Sequence, residues 1–195
     1  MRLFLVIMPP KDFRDLVRDD LRIIKKRLDK NLTYIPVDQL HLTIKYLGDD
    51  VSNDSMQKLT EELQARRSLL EPVEINIEDF NFGFRFQSNP RILKYDVEQT
   101  EGLNTIINTV HETAKITGLR DVVRFKQKVD YHITAAKLRN TASKKVVKEL
   151  RQVVDEINNK RKLDYKFKAT QCFLMESTTT RTGVVYKVHE EFDMG

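Results

Sequence analysis

The chain has 195 residues, 32% charged and 40% hydrophobic, the balance of a soluble globular protein with one substantial core. Its single cysteine, Cys172, excludes an internal disulfide and a cysteine-based metal cluster, and no apolar run approaches the roughly 20 residues that span a bilayer. Lys and Arg outnumber Asp and Glu, 34 to 29, for a net charge of +5, which favours anionic partners such as RNA or nucleotides. Nothing demands an oxidising compartment, so a cytoplasmic location is expected.

The apolar run Leu3 to Met8 stops at Pro9-Pro10 and has no small-residue cleavage site, so it reads as a buried strand over Leu3–Ile7 rather than a signal peptide. Asp12–Leu28 carries Phe13, Leu16, Val17, Leu21, Ile24 and Leu28 at helical spacing. A short extended piece follows at Leu32–Ile35, then a strand over Leu40–Leu47 that ends at Gly48-Asp49-Asp50. Ser52 or Asn53 can cap a helix to about Leu70, with Met56, Leu59 and Leu63 inward. Val73–Phe84 is a long strand, Gln87–Pro90 a loop, and Ile92–Val97 a strand. Thr100–Thr117 is a helix with Leu103, Ile106, Ile107, Val110 and Ala114 on one side. Val129–Leu138 is a strand, and Thr141 or Ser143 opens a helix to about Asn158. Tyr165–Met175 and Val184–Val188 close the chain as strands around a loop at Ser177–Thr180.

This order repeats. Strand, helix, strand, helix, strand occurs in residues 1–90 and again in 91–195, and Arg2, Arg91 and Arg181 open similar apolar stretches. Two copies are too few for a solenoid. With no linker-like stretch between them, they predict a single domain of two pseudo-symmetric lobes whose third elements face each other across a groove.

Both of those third elements carry the same tripeptide pattern: His41-Leu42-Thr43-Ile44 and His132-Ile133-Thr134-Ala135. On a strand, residues two apart share a face, so each copy presents one imidazole and one hydroxyl together. One such tripeptide carries little weight. Two of the chain's four histidines, in equivalent places of a repeat, predict a two-sided site that moves protons on a phosphate ester without a metal. His111, beside the buried stripe of its helix, and His189, next to Glu190, are expected to be structural or exposed. A zinc site built from two His and a carboxylate is the competing chemistry, but only Asp130 lies within two places of either motif histidine. Lys45, four residues after His41, should share its face, whereas Lys137, three after Thr134, should point away unless a bulge or twist returns it. Lys25-Lys26-Arg27 and Lys160-Arg161-Lys162 read as solvated charges or as an extended RNA footprint.

The segments Leu40-His41-Leu42-Thr43-Ile44-Lys45-Tyr46-Leu47-Gly48 and Tyr131-His132-Ile133-Thr134-Ala135-Ala136-Lys137 resemble the two-histidine phosphoesterases, and within them the LigT-like RNA 2′,3′-cyclic phosphodiesterases. Met1-Arg2-Leu3-Phe4 and Pro90-Arg91-Ile92-Leu93 extend the resemblance over nearly the whole chain. The second motif departs from the pattern: Tyr131 stands where the family has Pro, and Lys137 where it has Arg, keeping the charge but losing the bidentate fork. Tyr34 stands near a place where the family commonly has Trp.

The resemblance implies an α+β, bilobal fold with antiparallel sheets lining a central cleft. It implies hydrolysis of RNA or nucleotide 2′,3′-cyclic phosphate to a 2′-phosphate, with no cofactor or metal, by a monomer. His41 and His132 are then the catalytic pair, with His132 as base and His41 as acid. Thr43 and Thr134 donate to the non-bridging oxygens, and Lys45, Lys137 and Tyr131 are further substrate or phosphate contacts. The alternatives are an RNA-binding protein on the same scaffold without significant turnover, and the RNA 2′–5′ joining that some relatives carry out.

Overall fold

The computed structural model describes residues 1–84, 87–119, 130–180 and 183–195. Strand β1 (Arg2–Ile7) buries Leu3, Leu5 and Ile7, and Pro9-Pro10 end it. Helix α1 (Lys11–Leu28) packs Phe13, Val17, Leu21, Ile24 and Leu28 inward. A short strand β2 (Leu32–Tyr34) leads to β3 (Leu42–Gly48). Helix α2 (Asn53–Ala65) is capped by Ser52, whose side chain accepts from the Ser55 amide at 3.1 Å. It stops short of the expected Leu70, because Arg67–Leu69 tightens into a single 3-10 turn.

Strand β4 (Val73–Phe82) ends two residues before the expected Phe84. The cause is Gly83, whose φ of +85° breaks the strand and where a Cβ would collide with the Pro90 ring. Then come β5 (Ile92–Val97), α3 (Glu101–Ile116, capped by Thr100), β6 (His132–Leu138) and α4 (Lys144–Lys160, capped by Ser143). Of the expected strand Val129–Leu138, Val129 lies outside the described residues, as do Arg181 and Thr182.

Two expectations at the C-terminal end are corrected. Tyr165–Met175 is not one strand: it breaks at Thr170 into β7 (Tyr165–Ala169) and β8 (Gln171–Thr180), which pair with β4 and β1 respectively. Ser177–Thr180 is not a loop. It continues β8 and pairs in register with β9 (Gly183–Asp193), Thr178 facing Val185 and Thr179 facing Val184. Polar content suggested a loop, but β-branched threonine is well suited to a solvent-facing strand.

Among the described residues the strands form one curled antiparallel sheet ordered β7-β4-β5-β6-β3-β1-β8-β9, with β2 added against β6. The last strand of each sequence repeat crosses over: β4 pairs with β5, and β8 pairs with β1. The spatial halves therefore interlock and differ from the sequence halves. The helices bury one face of the sheet in a single continuous core. Asp20 of α1, 4% exposed, ties this layer together by accepting from the Tyr95 hydroxyl at 2.7 Å and from Arg161 at 2.6 Å. Arg161 thus reaches the buried Asp20 while its side chain stays 38% exposed. Among the described residues no helix is long and apolar enough to cross a membrane.

Candidate active site

The two motif strands meet at the centre of the sheet, where Leu42 of β3 faces Ile133 of β6. Both side chains are fully buried in the core. Their chain neighbours therefore leave the sheet on the opposite, open face, which brings His41, Thr43, His132 and Thr134 together. The antiparallel sense sets His41 toward Thr134 and Thr43 toward His132. All four are partly buried.

Each imidazole is locked in the same way. The Nδ1–H of His41 donates to the Gln39 carbonyl at 2.8 Å, and that of His132 to the Asp130 carbonyl at 2.7 Å. A carbonyl only accepts, so Nδ1 must carry the hydrogen and Nε2 remains for chemistry. Each ring also has an aromatic neighbour edge-on: Tyr186 of β9 lies 5.0 Å from His41, and Phe84 lies 5.1 Å from His132. Burial lowers both histidines below the ordinary value, while the two carbonyl bonds act in the other direction. The charges of His132 and Lys137 lower His41 further, so the two rings feel each other across the strand junction.

Immediately after each threonine the strand carries one extra residue, Ile44 in β3 and Ala135 in β6. A bulge reverses the alternation beyond it. Thr43 faces Val6 of β1, but Lys45 faces Leu5. Lys45 therefore leaves on the core side, and its Nζ lies 2.7 Å from Nδ1 of His111 on α3. The expectation that Lys45 shares the His41 face is corrected on this ground; the residue that returns to that face is Tyr46. In β6 the bulge has the opposite consequence. Thr134 faces Lys94 of β5 and Lys137 faces Ile92, two residues along the same side, so Lys137 stands on the open face with His132 and Thr134. The open face of the sheet that carries the two histidines thus carries Lys137, while Lys45 lies on the other face.

Tyr131 is half-buried just before β6, and burial raises its hydroxyl above the usual range. It lines a cavity of about 620 Å³ beside His132, together with Asn81, Phe84, Lys94, Asp96 and Asp130. Burial likewise raises Tyr186. Among the described residues no three His, Cys, Asp or Glu side chains converge to hold a metal. Of the remaining histidines, His189 Nε2 lies 2.8 Å from Glu176, and His111 takes the Lys45 contact.

The sequence reading missed Phe84, Tyr186, Lys94 and Asp96. The last two had a signal: along Ile92–Val97 the polar Lys94 and Asp96 alternate with Leu93, Tyr95 and Val97, which marks one polar face. Phe84 and Tyr186 had none, since they reach the histidines only through the crossover of β4 and the hairpin of β8 and β9.

The curled antiparallel sheet with helices behind it is a LigT-like fold. TT0787 of Thermus thermophilus shares it at TM-score 0.77 and 20% identity, over 100% of this chain and 98% of that one. A phosphoesterase shares it at TM-score 0.64 and 20% identity, over 99% and 98%. Escherichia coli LigT bound to 3′-AMP does so at TM-score 0.64 and 18% identity, over 99% and 96%. No protein-family model and no curated protein sequence matches the chain.

Proposed function

We propose that the protein is a metal-independent phosphodiesterase that opens RNA 2′,3′-cyclic phosphate ends to the 2′-phosphate. The observation that carries this reading is the pair of carbonyl-locked imidazoles, each with Nε2 free and a threonine beside it on one open face. A neutral imidazole takes a proton from water as the water oxygen bonds to phosphorus. A protonated imidazole delivers a proton to the 3′ oxygen as its bond to phosphorus breaks. Thr43 and Thr134 donate to the non-bridging oxygens, whose negative charge grows at the transition state. Lys137 adds a positive charge on the same face. The fold it shares with LigT, a protein whose structures hold 3′-AMP and phosphate, supports a nucleotide phosphate as ligand.

The test is incubation with a nucleoside 2′,3′-cyclic phosphate and identification of the product. Appearance of the 2′-monophosphate, at a rate unchanged by EDTA, is expected. Tight binding of the cyclic phosphate with no product replaces this reading with an RNA-binding protein on the same scaffold. A 3′-monophosphate product overturns the choice of leaving oxygen.

A further inference from the structure

The proton transfers proposed above leave the cavity of about 620 Å³ beside His132 unused. Its acidic character follows from strand register. His132 faces Asp96 of β5. In β4 the pairing steps from Ile77 opposite Val97 to Phe80 opposite Tyr95, so Glu78 and Asp79 together stand opposite Asp96. This bulge puts two acidic side chains, rather than one, at the end of the row that starts at His132. They lie two strand spacings from it, about 10 Å. Asp130, two residues before His132, is a fourth carboxylate in the lining. The lining cation, Lys94, is engaged within the wall. It is only 3% exposed, its Nζ donates to Asp96, and the Phe84 ring lies 4.9 Å from it. The other Asp96 oxygen accepts from the Asn81 amide at 2.6 Å. Among the described residues no side chain donates to the carboxylates of Glu78, Asp79 or Asp130, so their oxygens remain as acceptors.

These oxygens do not close around an ion: among the described residues no three His, Cys, Asp or Glu side chains converge on one point. A second phosphate would meet an excess of negative charge there. The space suits an uncharged, flat ligand with N–H groups on its edge, and Phe84 and Tyr131 add aromatic surface to the same lining. A nucleobase is such a ligand. Charge along β6 also sets which way a substrate lies. Lys137 stands near one end of the strand, and Asp130 precedes the other. The phosphates of an RNA chain leave past Lys137, and the neutral base enters the acidic end. We propose that this cavity takes the base of the nucleotide bearing the cyclic phosphate, and that Glu78 and Asp79 make it select guanine. The inference rests on the cyclic phosphodiesterase reading of the site.

Guanine presents two adjacent donors, N1–H and the N2 amino group, which one carboxylate accepts as a pair. Adenine and cytosine present one amino group beside an acceptor nitrogen, so a carboxylate gains one bond and faces one lone pair. Uracil presents a single N–H between two carbonyls, both of which a carboxylate repels. The expected order is guanosine first, adenosine and cytidine next, and uridine last.

The test is steady-state hydrolysis of the four nucleoside 2′,3′-cyclic monophosphates by the intact protein. kcat/KM for the guanosine compound is expected to exceed that for the uridine compound by at least ~10-fold, mainly through KM. The double variant Glu78→Gln with Asp79→Asn replaces one acceptor oxygen of each side chain by a donor at nearly constant size. Both residues are exposed, so the fold tolerates the change. It should raise KM for the guanosine compound and bring the guanosine-to-uridine ratio close to one. A structural role alone lowers turnover of all four substrates alike and leaves the ratio unmoved. Equal kcat/KM for the four bases, a preference for uridine, or a guanosine preference that the double variant retains overturns the proposal. If none of the four is hydrolysed, the proposed function fails, and calorimetry with guanosine and uridine 2′-monophosphates still decides the cavity. Tighter binding of the guanosine compound, lost in the double variant, is then expected; equal affinities, or no binding of either, overturn the assignment.

Discussion

Around His41 the open face of the sheet is apolar. Thr43 continues across β1 and β8 as Val6 and Phe173, and one step on, the Phe4 and Tyr46 rings meet at 5.4 Å under the Arg2 guanidinium. Around His132 the equivalent rows read Thr134, Lys94 and Asn81, then Ile92 and Lys137. The frame is common to both: His-x-Thr, a bulge one residue later, an Nδ1 bond to the carbonyl two residues back, and an edge-on ring from a segment that is not adjacent in the sheet. What is duplicated fixes geometry, and what has diverged fixes charge.

The largest expected effect tests the common frame. His41→Ala and His132→Ala should each lower kcat on a nucleoside 2′,3′-cyclic phosphate by about 10²–10⁴-fold, and the double variant by little more than either alone, since the two act as one unit. Far-ultraviolet circular dichroism should be unchanged, because neither ring belongs to the core. A single variant with full turnover would show that the halves are not partners at all.

Removing the hydroxyls comes next and begins to separate the halves. Thr43→Val and Thr134→Val should each cost roughly 10²-fold in kcat, the scale of losing one donor to a developing oxyanion. Thr43→Val should cost more, because its neighbours across β1 and β8 are the apolar Val6 and Phe173, whereas Thr134→Val leaves Lys94 and Asn81 across β5 and β4. Equal losses would mean that the charged floor does not reach the reacting group.

The pH dependence of kcat/KM reports the free enzyme and should be bell-shaped. As pH falls, the base becomes protonated and activity is lost; as pH rises, the acid gives up its proton and activity is lost again. Burial holds both rings below the ordinary histidine value of about 6.5. The maximum should therefore lie on the acid side of that value. A maximum above it would show that a different group limits the alkaline limb.

The paired histidines were legible because the element order repeats around them and the chain has few others. The strand faces beyond Thr43 and Thr134 were not, because a bulge is a decision of register between strands rather than of local composition. Counting by twos put Lys45 on the His41 face and Lys137 on the opposite face unless a bulge returned it, and one extra residue per strand exchanged the two faces. Ala135-Ala136, two small apolar residues that break the alternation of β6, was the local trace of it. The third strands could be read as strands, but their crossing into the opposite half depends on long-range pairing. Phe84 and Tyr186 arrive by that route, so no local pattern tied them to the histidines.

The smallest effect separates these two lysines. Lys137→Ala removes a cation from the open face and should raise KM about tenfold, the scale of a charge-assisted contact to phosphate, while kcat falls less. Lys45→Met should leave kcat and KM within about twofold, since the charge it removes lies on the other side of the sheet. Its effect belongs instead to stability: the Lys45 contact to His111 joins β3 to α3, and its loss should lower unfolding free energy by about 1 kcal/mol in a urea titration. The reverse result, with Lys45→Met raising KM and Lys137→Ala silent, would mean that the bulges after Thr43 and Thr134 are absent in solution. The polar and apolar floors would then have to be reassigned between the two halves.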